Sequence, residues 1–245
     1  MCINDTMLST VQLVHLIESK NFGVEYQPII DVRNKEVFAY EALARFYNCS
    51  DKPIRPDHVF AALHDNPLSL YQVELAQKKL QLANAPHSHR LFVNLDQDSY
   101  FVCDRHDEPN AFLNLFKEYH TTLVVELIEN SEISDARKSL EMINLMKENN
   151  IKTALDDVCN EHSMLSTLVL ERVNYIKFDR YVMLNRHRPA FLTLLDALIS
   201  YAKAANKPLI LEGVETEEDF AFAQEIGVDY VQGFLFKSQF INIRA

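Results

Sequence analysis

Carboxylate and amide side chains follow five short apolar runs of this sequence. Glu41 follows VFAY, Asn94 follows LFV, Glu126 follows TLVV, the pair Asp156-Asp157 follows IKTAL, and Glu212 follows KPLIL. Charged groups at the ends of buried strands are costly unless they are paired or hold a cation. Carboxylates with one amide suit a hard divalent ion, because such ions prefer oxygen ligands. The sequence therefore predicts a metal site first and an enzyme second.

The apolar runs read as strands that alternate with helices. A helix is predicted over residues 8–20, and strands over 24–31 and 36–46 are joined by the polar turn VRNK. A link this short permits only antiparallel pairing. Six further strands are predicted at residues 91–95, 122–127, 152–156, 174–178, 209–212 and 230–232. Eight strands with interleaved helices predict an α/β fold, a TIM-type (β/α)8 barrel with an antiparallel first strand.

In such barrels the chemistry lies at the carboxyl ends of the strands, where the acidic residues were found. No linker, repeat or low-complexity stretch divides the 245 residues, so we expect one domain over 1–245, with the barrel at about 24–243. Ser131 is a candidate helix cap, and Thr216 followed by Glu217, Glu218 and Asp219 predicts a capping box at the last main helix.

Composition excludes several classes of protein. The net charge of -11, without a basic stripe, argues against a nucleic-acid polymer as partner. Cys2, Cys49, Cys103 and Cys159 have no paired spacing, which disfavours structural zinc and a disulfide framework. The first residues do not resemble a signal peptide, and no run approaches the roughly 20 apolar residues of a membrane segment. We therefore expect a cytoplasmic protein.

One stretch of the sequence resembles a known family. YQPIIDVRNKEVFAYEALARF contains Glu41-Ala42-Leu43 followed by Arg45, and it is similar to the signature of EAL domains, the phosphodiesterases that hydrolyse cyclic di-GMP. The motifs FVNL, VVELIEN, ALDD, YIKFDR, LEGVET and VQGFLF follow in family order. The resemblance covers almost the whole chain and implies an EAL fold.

The resemblance also implies roles for individual residues. Metal ligands would be Glu41, Asn94, Glu126, Asp156 and Asp157, catalytic residues Lys177 and Glu212, substrate-binding residues Gln27, Arg45 and Gln232, and supporting hydrogen-bond acceptors Glu129 and Glu215. Two Mg²⁺ or Mn²⁺ ions would share Asp156 and activate water for attack on the phosphate. Lys177 would orient that water or offset developing charge. Glu212 is either a ligand of the second metal or a proton acceptor.

Any one of these carboxylates alone is more often a helix cap or an ion-pair partner, so the prediction depends on the whole set. One segment departs from the family. After the paired aspartates the family usually has a Phe-Gly-Thr/Ser-Gly loop, but the segment from Val158 to Met164 contains no glycine. The resemblance implies that this loop helps to position the second metal and forms part of a dimer contact, so the change bears on both properties.

Three functions are therefore compared. The first is metal-dependent hydrolysis of cyclic di-GMP to linear pGpG, with activity reduced by the altered loop. The second is a cyclic di-GMP sensor with little turnover, and the third is a regulator that acts through a protein partner. The retained ligands disfavour the third function, whereas the altered loop argues against full activity. A homodimer is a further expectation.

Overall fold

The structure is a computed structural model that describes residues 8–102, 110–119, 122–128, 133–162 and 164–244. The strands are β1 (Phe22–Asp31), β2 (Val37–Tyr47), β3 (Pro53–Ile54), β4 (Arg90–Asn94), β5 (Leu123–Ile128), β6 (Lys152–Val158), β7 (Tyr175–Phe178), β8 (Leu209–Leu211), β9 (Tyr230–Val231) and β10 (Ile241–Arg244). The helices are α1 (Thr10–Ser19), α2 (Pro56–His64), α3 (Pro67–Ala83), α4 (Gln97–Phe101), α5 (Ala111–Lys117), α6 (Ile133–Glu148), α7 (Thr167–Arg172), α8 (Tyr181–Asn185), α9 (Pro189–Ala204) and α10 (Glu217–Ile226), followed by a 3-10 helix, Phe234–Gln239. None of the helices described is both long and apolar enough to cross a bilayer.

Eight of these strands close into a barrel in the order β1, β9, β8, β7, β6, β5, β4 and β2, and β2 pairs with β1. Strand β1 is antiparallel to both of its neighbours, β2 and β9. The other neighbours in the ring are parallel. The predicted barrel with an antiparallel first strand is therefore confirmed.

Two short strands extend the sheet beyond the ring. Strand β3 pairs with the end of β2, and β10 pairs with the first half of β1. Neither strand was predicted. Strand β3 has only two residues and carries no periodicity, whereas the alternation of apolar and polar residues in β10 (INIR) was a signal that could have been used. Both pairings satisfy backbone groups of β1 and β2 that the ring leaves free.

The core has three parts, of which two reflect the alternation of side chains along each strand. The third packs helices α1, α2 and α3 against Phe22 of β1 and Phe46 of β2. Inside the barrel lies a small apolar cluster built from Ile29, Ala39, Phe92, Val124, Ala154, Tyr175 and Ile210. A much larger cluster fills the space between the strands and the surrounding helices. We call this interior cluster the apolar floor of the barrel, because the residues of the candidate site lie directly above it.

The predicted helix over residues 8–20 is observed as α1, which begins after a capping box at Ser9. The predicted capping box of the last main helix is also confirmed. The Thr216 side chain accepts a hydrogen bond from the Asp219 amide, and the Asp219 side chain accepts from the Thr216 amide. The predicted cap Ser131 lies outside the described residues.

Gly213 is expected to be required by packing as well as by its backbone conformation. Its φ is +74°, and a Cβ placed there would lie 2.4 Å from the Cβ of Arg180. Gly227 has a similar φ of +76°, but its added Cβ would meet only the mobile end of Lys203. Positive φ costs a non-glycine residue about 1–2 kcal/mol, and overpacking costs about 1–3 kcal/mol more.

We therefore expect Gly213→Ala to lower the free energy of unfolding by at least about 1 kcal/mol more than Gly227→Ala does. Urea unfolding of the two variants and the wild type measures the difference. Equal losses in the two variants would show that the contact with Arg180 carries no energetic weight.

Candidate active site

Six of the predicted site residues form one layer above the apolar floor of the barrel: Glu41, Asn94, Glu126, Asp156, Lys177 and Glu212. Each stands two positions beyond a residue of that floor, as Asn94 does beyond Phe92, Glu126 beyond Val124, Asp156 beyond Ala154, Lys177 beyond Tyr175 and Glu212 beyond Ile210. Because strand side chains repeat every two residues, both members of each pair face the barrel interior. On antiparallel β1 the order is reversed, and Gln27 comes two residues before Ile29.

Glu41 and Glu126 lie within their strands rather than at the strand ends. Strand β2 continues from Glu41 to Tyr47, and β5 continues from Glu126 to Ile128. The apolar runs in the sequence therefore stop before the strands do. The predicted convergence of the side chains is nevertheless found, because the inward-facing register brings them together.

The buried ammonium group of Lys177 lies at the centre of the layer. Its Nζ is 2.6 Å from Glu212 Oε1, 2.7 Å from Glu126 Oε1, 2.9 Å from Asp156 Oδ1 and 3.3 Å from Glu41 Oε2. Lys177 and Glu126 are both 0% exposed. One lysine cannot neutralise four ionised carboxylates, so the cluster needs further positive charge, from protons or from metal ions.

Amide side chains surround Glu41. Asn94 Nδ2 donates to Glu41 Oε1 at 2.8 Å, and Gln232 Nε2 donates to Glu41 Oε2 at 2.7 Å. Gln232 Nε2 also approaches Gln27 Oε1 at 3.3 Å. Gln27 and Gln232, two residues predicted to bind substrate, therefore lie at the same end of the barrel as the acidic cluster.

An irregularity in β6 lets two consecutive aspartates reach this end. The register between β6 and β7 shifts between Leu155 and Val158, and Asp157 adopts a left-handed φ of 59°. In a regular strand, adjacent side chains point to opposite faces, so Asp157 would face away from Asp156. The shift therefore explains why both carboxylates lie close to Glu212.

The segment after the aspartates keeps a glycine-like conformation without glycine. Cys159 has a φ of 70° and is buried at 7% exposure. Non-glycine residues enter this region at a cost of order 1–3 kcal/mol, and they persist there only when their surroundings enforce it. The Asp179 amide donates to the Val158 carbonyl at 3.0 Å, which holds the segment against the end of β7.

The carboxylates form two groups that share one residue. Glu41, Glu126 and Asp156 make one set of three, and Asp156, Asp157 and Glu212 make the other, with one oxygen of each residue lying within 4.8 Å of the others in its set. Glu126 Oε2 is fully buried and accepts no hydrogen bond from any described residue. A buried carboxylate oxygen without a donor is suited to a hard cation, as is the oxygen-rich donor set.

Burial dominates the electrostatics of the cluster. Burial and the charge of Glu41 raise the pKa of Glu126 well above its usual range. Burial also raises the pKa of Asp156, and it raises the pKa of Glu212 to about 8. Burial and the neighbouring Asp156 raise the pKa of Asp157 to about 7.

The pKa values of two groups, Glu41 and Lys177, are shifted so that their charged forms are favoured. Burial opposes charge on Glu41, but Lys177, Gln232 and Asn94 together lower its pKa. Burial likewise opposes charge on Lys177, yet Asp156, Glu126, Glu212 and Glu41 hold its pKa well above the usual value. Lys177 is therefore a permanent cation facing carboxyl groups, several of which retain protons near neutral pH.

Divalent metal binding is expected to release protons and to tighten as pH rises. Asp157 and Glu212, with pKa values of about 7 and about 8, must lose their protons before they can act as ligands. The affinity for Mn²⁺ should increase by at least about tenfold between pH 6 and pH 8. Calorimetry in buffers of different ionisation enthalpy measures both quantities, and an affinity that does not change with pH would contradict the assignment.

Arg45 and Glu215 lie at the rim rather than in the cluster. Arg45 Nη2 pairs with Glu25 Oε1 at 2.5 Å, and its side chain is 26% exposed. Glu215 is exposed, and with Gln27, Glu212, Gln232 and Phe234 it lines a cleft of about 150 Å³. Within the described part of the chain, its carboxylate makes no hydrogen bond to the predicted ligands. Glu129 lies outside the described residues.

One residue near the cluster was missed in the sequence. Asp179 directly follows β7, and its negative charge contributes to the raised pKa of Asp157. Asp179 Oδ1 also accepts a hydrogen bond from the Tyr181 amide at 2.7 Å. The signal was available, because Asp179 stands two residues after Lys177 in the motif YIKFDR.

Comparison with known proteins identifies the family. The EAL domain profile matches residues 10–239. The chain belongs to the EAL domain family. Among curated relatives, this EAL domain is 33% identical over 226 residues to the cyclic di-GMP phosphodiesterase PdeR of Escherichia coli K12, covering 90% of this chain and 34% of PdeR.

A second relative supports the same family, and a solved structure supports the same fold. The domain is 25% identical over 231 residues to PdeN of Escherichia coli K12, described as a probable cyclic di-GMP phosphodiesterase, covering 91% of this chain and 44% of PdeN. It thus spans less than half the length of both relatives. The Bacillus subtilis YkuI protein, solved with cyclic di-GMP and calcium, matches with a TM-score of 0.78 at 21% identity over 98% of this EAL domain and 60% of YkuI.

Proposed function

We propose that this EAL domain hydrolyses cyclic di-GMP to linear pGpG in a reaction that depends on Mg²⁺ or Mn²⁺. The observation that carries the proposal is the position of Asp156 in both groups of carboxylates. A shared carboxylate between two oxygen-rich groups suits a pair of divalent ions. The phosphodiesterase descriptions of PdeR and PdeN support the substrate class.

The described residues fit such a pair of ions. Glu41, Asn94, Glu126 and Asp156 would hold one ion, and Asp156, Asp157 and Glu212 would hold the other. Bound ions of this kind lower the pKa of a water and screen the charge of a phosphate. Because the carboxylates alone would repel a phosphate, binding of substrate and of cations should be coupled.

The side chains of the domain supply the remaining chemistry. The Lys177 ammonium is fixed by four carboxylates and can stabilise negative charge that develops on the phosphate. Glu212, with a pKa of about 8 in the absence of metal, can accept a proton from the attacking water if it does not bind the second ion. Gln27 and Gln232 offer amide groups to the substrate. Arg45 would offer its guanidinium group if it separated from Glu25.

Several wider expectations form part of this proposal. Residues 1–245 would form a single EAL domain in the cytoplasm. A homodimer and a regulatory protein partner remain predictions. The alternative of a cyclic di-GMP sensor is supported by the absence of glycine from the segment after Asp157. Cys159 holds a left-handed φ of 70° at an energetic cost beside the second group of carboxylates.

The two functions are separated by incubating the purified protein with cyclic di-GMP and Mn²⁺ or Mg²⁺, with EDTA as control. Product is followed by chromatography and binding by calorimetry. Metal-dependent formation of pGpG is the expected result. Tight binding without product would support the sensor instead, and the absence of both would contradict the two functions and favour a regulator acting through a protein partner.

A further inference from the structure

Helix α3 buries a row of polar side chains against the barrel. Glu74, Gln77, Lys78 and Gln81 are spaced so that they share one face of the helix, and they are 3%, 0%, 2% and 2% exposed. Burying polar groups costs free energy unless they are hydrogen-bonded. The contacts of this row therefore indicate what it does.

The two glutamines of the row donate hydrogen bonds to the backbone of strand β2. Parallel pairing between β2 and β4 is observed from Ala39 to Ala42 of β2. Gln81 Nε2 donates to the Ala42 carbonyl at 2.8 Å, and Gln77 Nε2 donates to the Arg45 carbonyl at 3.4 Å. Helix α3 thus supplies donors where pairing with β4 stops, on the strand that carries Glu41.

Glu74 holds the residues that follow strand β4. Its Oε1 accepts a hydrogen bond from the Asp96 amide at 3.2 Å, and its Oε2 accepts from Lys78 Nζ at 2.6 Å. The side chains of Lys78 and Glu74 are 3% and 4% exposed. Lys78 compensates the buried charge of Glu74, so that the carboxylate can remain beside the Asp96 amide.

Asn94 stands immediately before this contact. The Leu95 amide donates to the Glu126 carbonyl at 3.1 Å, which ties the chain to β5 on one side, and the Asp96 amide is tied to α3 on the other. Beside these residues is a cavity of about 350 Å³, lined in part by Arg45, Asn94, Lys78 and Gln81. Leu95 is buried in the main apolar cluster, and the hydrogen bonds on either side of it add to this packing in fixing the end of β4 beside the cavity.

We propose that Glu74 is a positioning residue that fixes the end of β4, so that the Asn94 side chain is held in place for a divalent ion. This inference rests on the proposed metal site. Groups that orient metal ligands typically change metal affinity by about 10–100-fold when they are removed. The effect on Mn²⁺ affinity should therefore be separable from any effect on folding.

Two double variants isolate the hydrogen bond from the charges. Glu74→Gln with Lys78→Met removes both charges and retains an acceptor for the Asp96 amide. Glu74→Met with Lys78→Met removes both charges and the acceptor, with little change in side-chain volume. Replacing both partners of a buried ion pair by groups of similar volume is often neutral for stability.

We expect the Glu74→Met/Lys78→Met protein to bind Mn²⁺ at least about tenfold more weakly than the Glu74→Gln/Lys78→Met protein, with closely similar melting temperatures. Calorimetry measures the affinity, and saturating Mn²⁺ should restore part of the lost kcat. If the wild type binds Mn²⁺ and the two double variants bind it with equal affinity, the positioning role of Glu74 is wrong, whereas the proposed metal site is unaffected. No Mn²⁺ binding by the wild type would overturn the proposed function, and this inference with it.

A second pair of variants acts on the other side of the same hydrogen bond and does not depend on the folding of the first pair. Asp96 has a φ of -70°, which proline adopts, so Asp96→Pro removes the amide proton. Asp96→Ala removes the same side chain, which caps α4, but retains the amide. We expect Asp96→Pro to bind Mn²⁺ about tenfold more weakly than Asp96→Ala does. Equal binding by the two variants would contradict the role of Glu74.

Discussion

Replacing Asp156 with asparagine should reduce metal-dependent hydrolysis of cyclic di-GMP by at least about 10³-fold, since a metal centre supplies several kcal/mol of transition-state stabilisation and each 1.36 kcal/mol is tenfold in rate. Asp156 belongs to both groups of carboxylates, so its loss affects both ions. Asparagine retains the shape of the side chain and removes its charge. Initial rates of pGpG formation at several Mn²⁺ concentrations measure the effect.

Asp196→Asn provides the matched control for this experiment. Asp196 is an exposed residue of α9 and does not belong to the buried cluster. The substitution makes the same chemical change, from a carboxylate to an amide. Its rate should equal that of the wild type. A rate for Asp156→Asn within about threefold of the wild type would mean that Asp156 is not a shared ligand, because loss of a bridging carboxylate cannot be so mild.

Replacing Lys177 with methionine should affect both catalysis and stability. The substitution leaves four carboxyl groups in a buried site without their cation. Removing one partner of a buried ion pair typically costs about 3–5 kcal/mol, and removing a preorganised charge lowers kcat by about 10²–10³-fold. Urea unfolding in EDTA and hydrolysis assays in Mn²⁺ measure the two effects.

The loss of stability in Lys177→Met should depend on pH. Burial raises the pKa of Glu126, Asp156 and Glu212 above the values of an unfolded chain. A carboxyl group with a raised pKa in the folded state stabilises the fold at low pH, and this contribution disappears as pH rises through the folded pKa. Without Lys177 these groups are raised further, so the variant should be closer to the wild type at pH 5.5 than at pH 8.

Lys152→Met is the control for Lys177→Met. Lys152 lies at the start of the neighbouring strand β6 and is exposed. Its removal should change neither kcat nor the difference in stability between pH 5.5 and pH 8. If Lys177→Met and Lys152→Met gave the same unfolding free energies at pH 8, the contacts of Lys177 with the carboxylates would have no energetic importance.

The sequence was sufficient to predict the barrel and the convergence of the acidic side chains with Lys177, because both follow from strand periodicity. Side chains that alternate every two residues place Glu126 above Val124 and Lys177 above Tyr175, once the strands are known. The parallel order then brings these positions to one end of the barrel. The same reasoning could have included Asp179, which directly follows β7.

Other features depend on contacts between distant parts of the chain. A polar row such as Glu74, Gln77, Lys78 and Gln81 reads in the sequence as a solvated helix face, yet it is buried against β2 and the end of β4. The pairing of Arg45 with Glu25 depends on the antiparallel register of β1 and β2. The left-handed φ of Cys159 likewise contradicts local preference, because the tertiary contacts of the segment override it.

The most direct test of the account is anomalous diffraction at the manganese edge from crystals grown with Mn²⁺ and cyclic di-GMP. The account predicts two anomalous peaks about 3.5–4 Å apart, both bonded to Asp156, with Asn94 and Glu126 at one ion and Asp157 at the other. Manganese density that does not touch Asp156, or no manganese between the two groups of carboxylates, would contradict it.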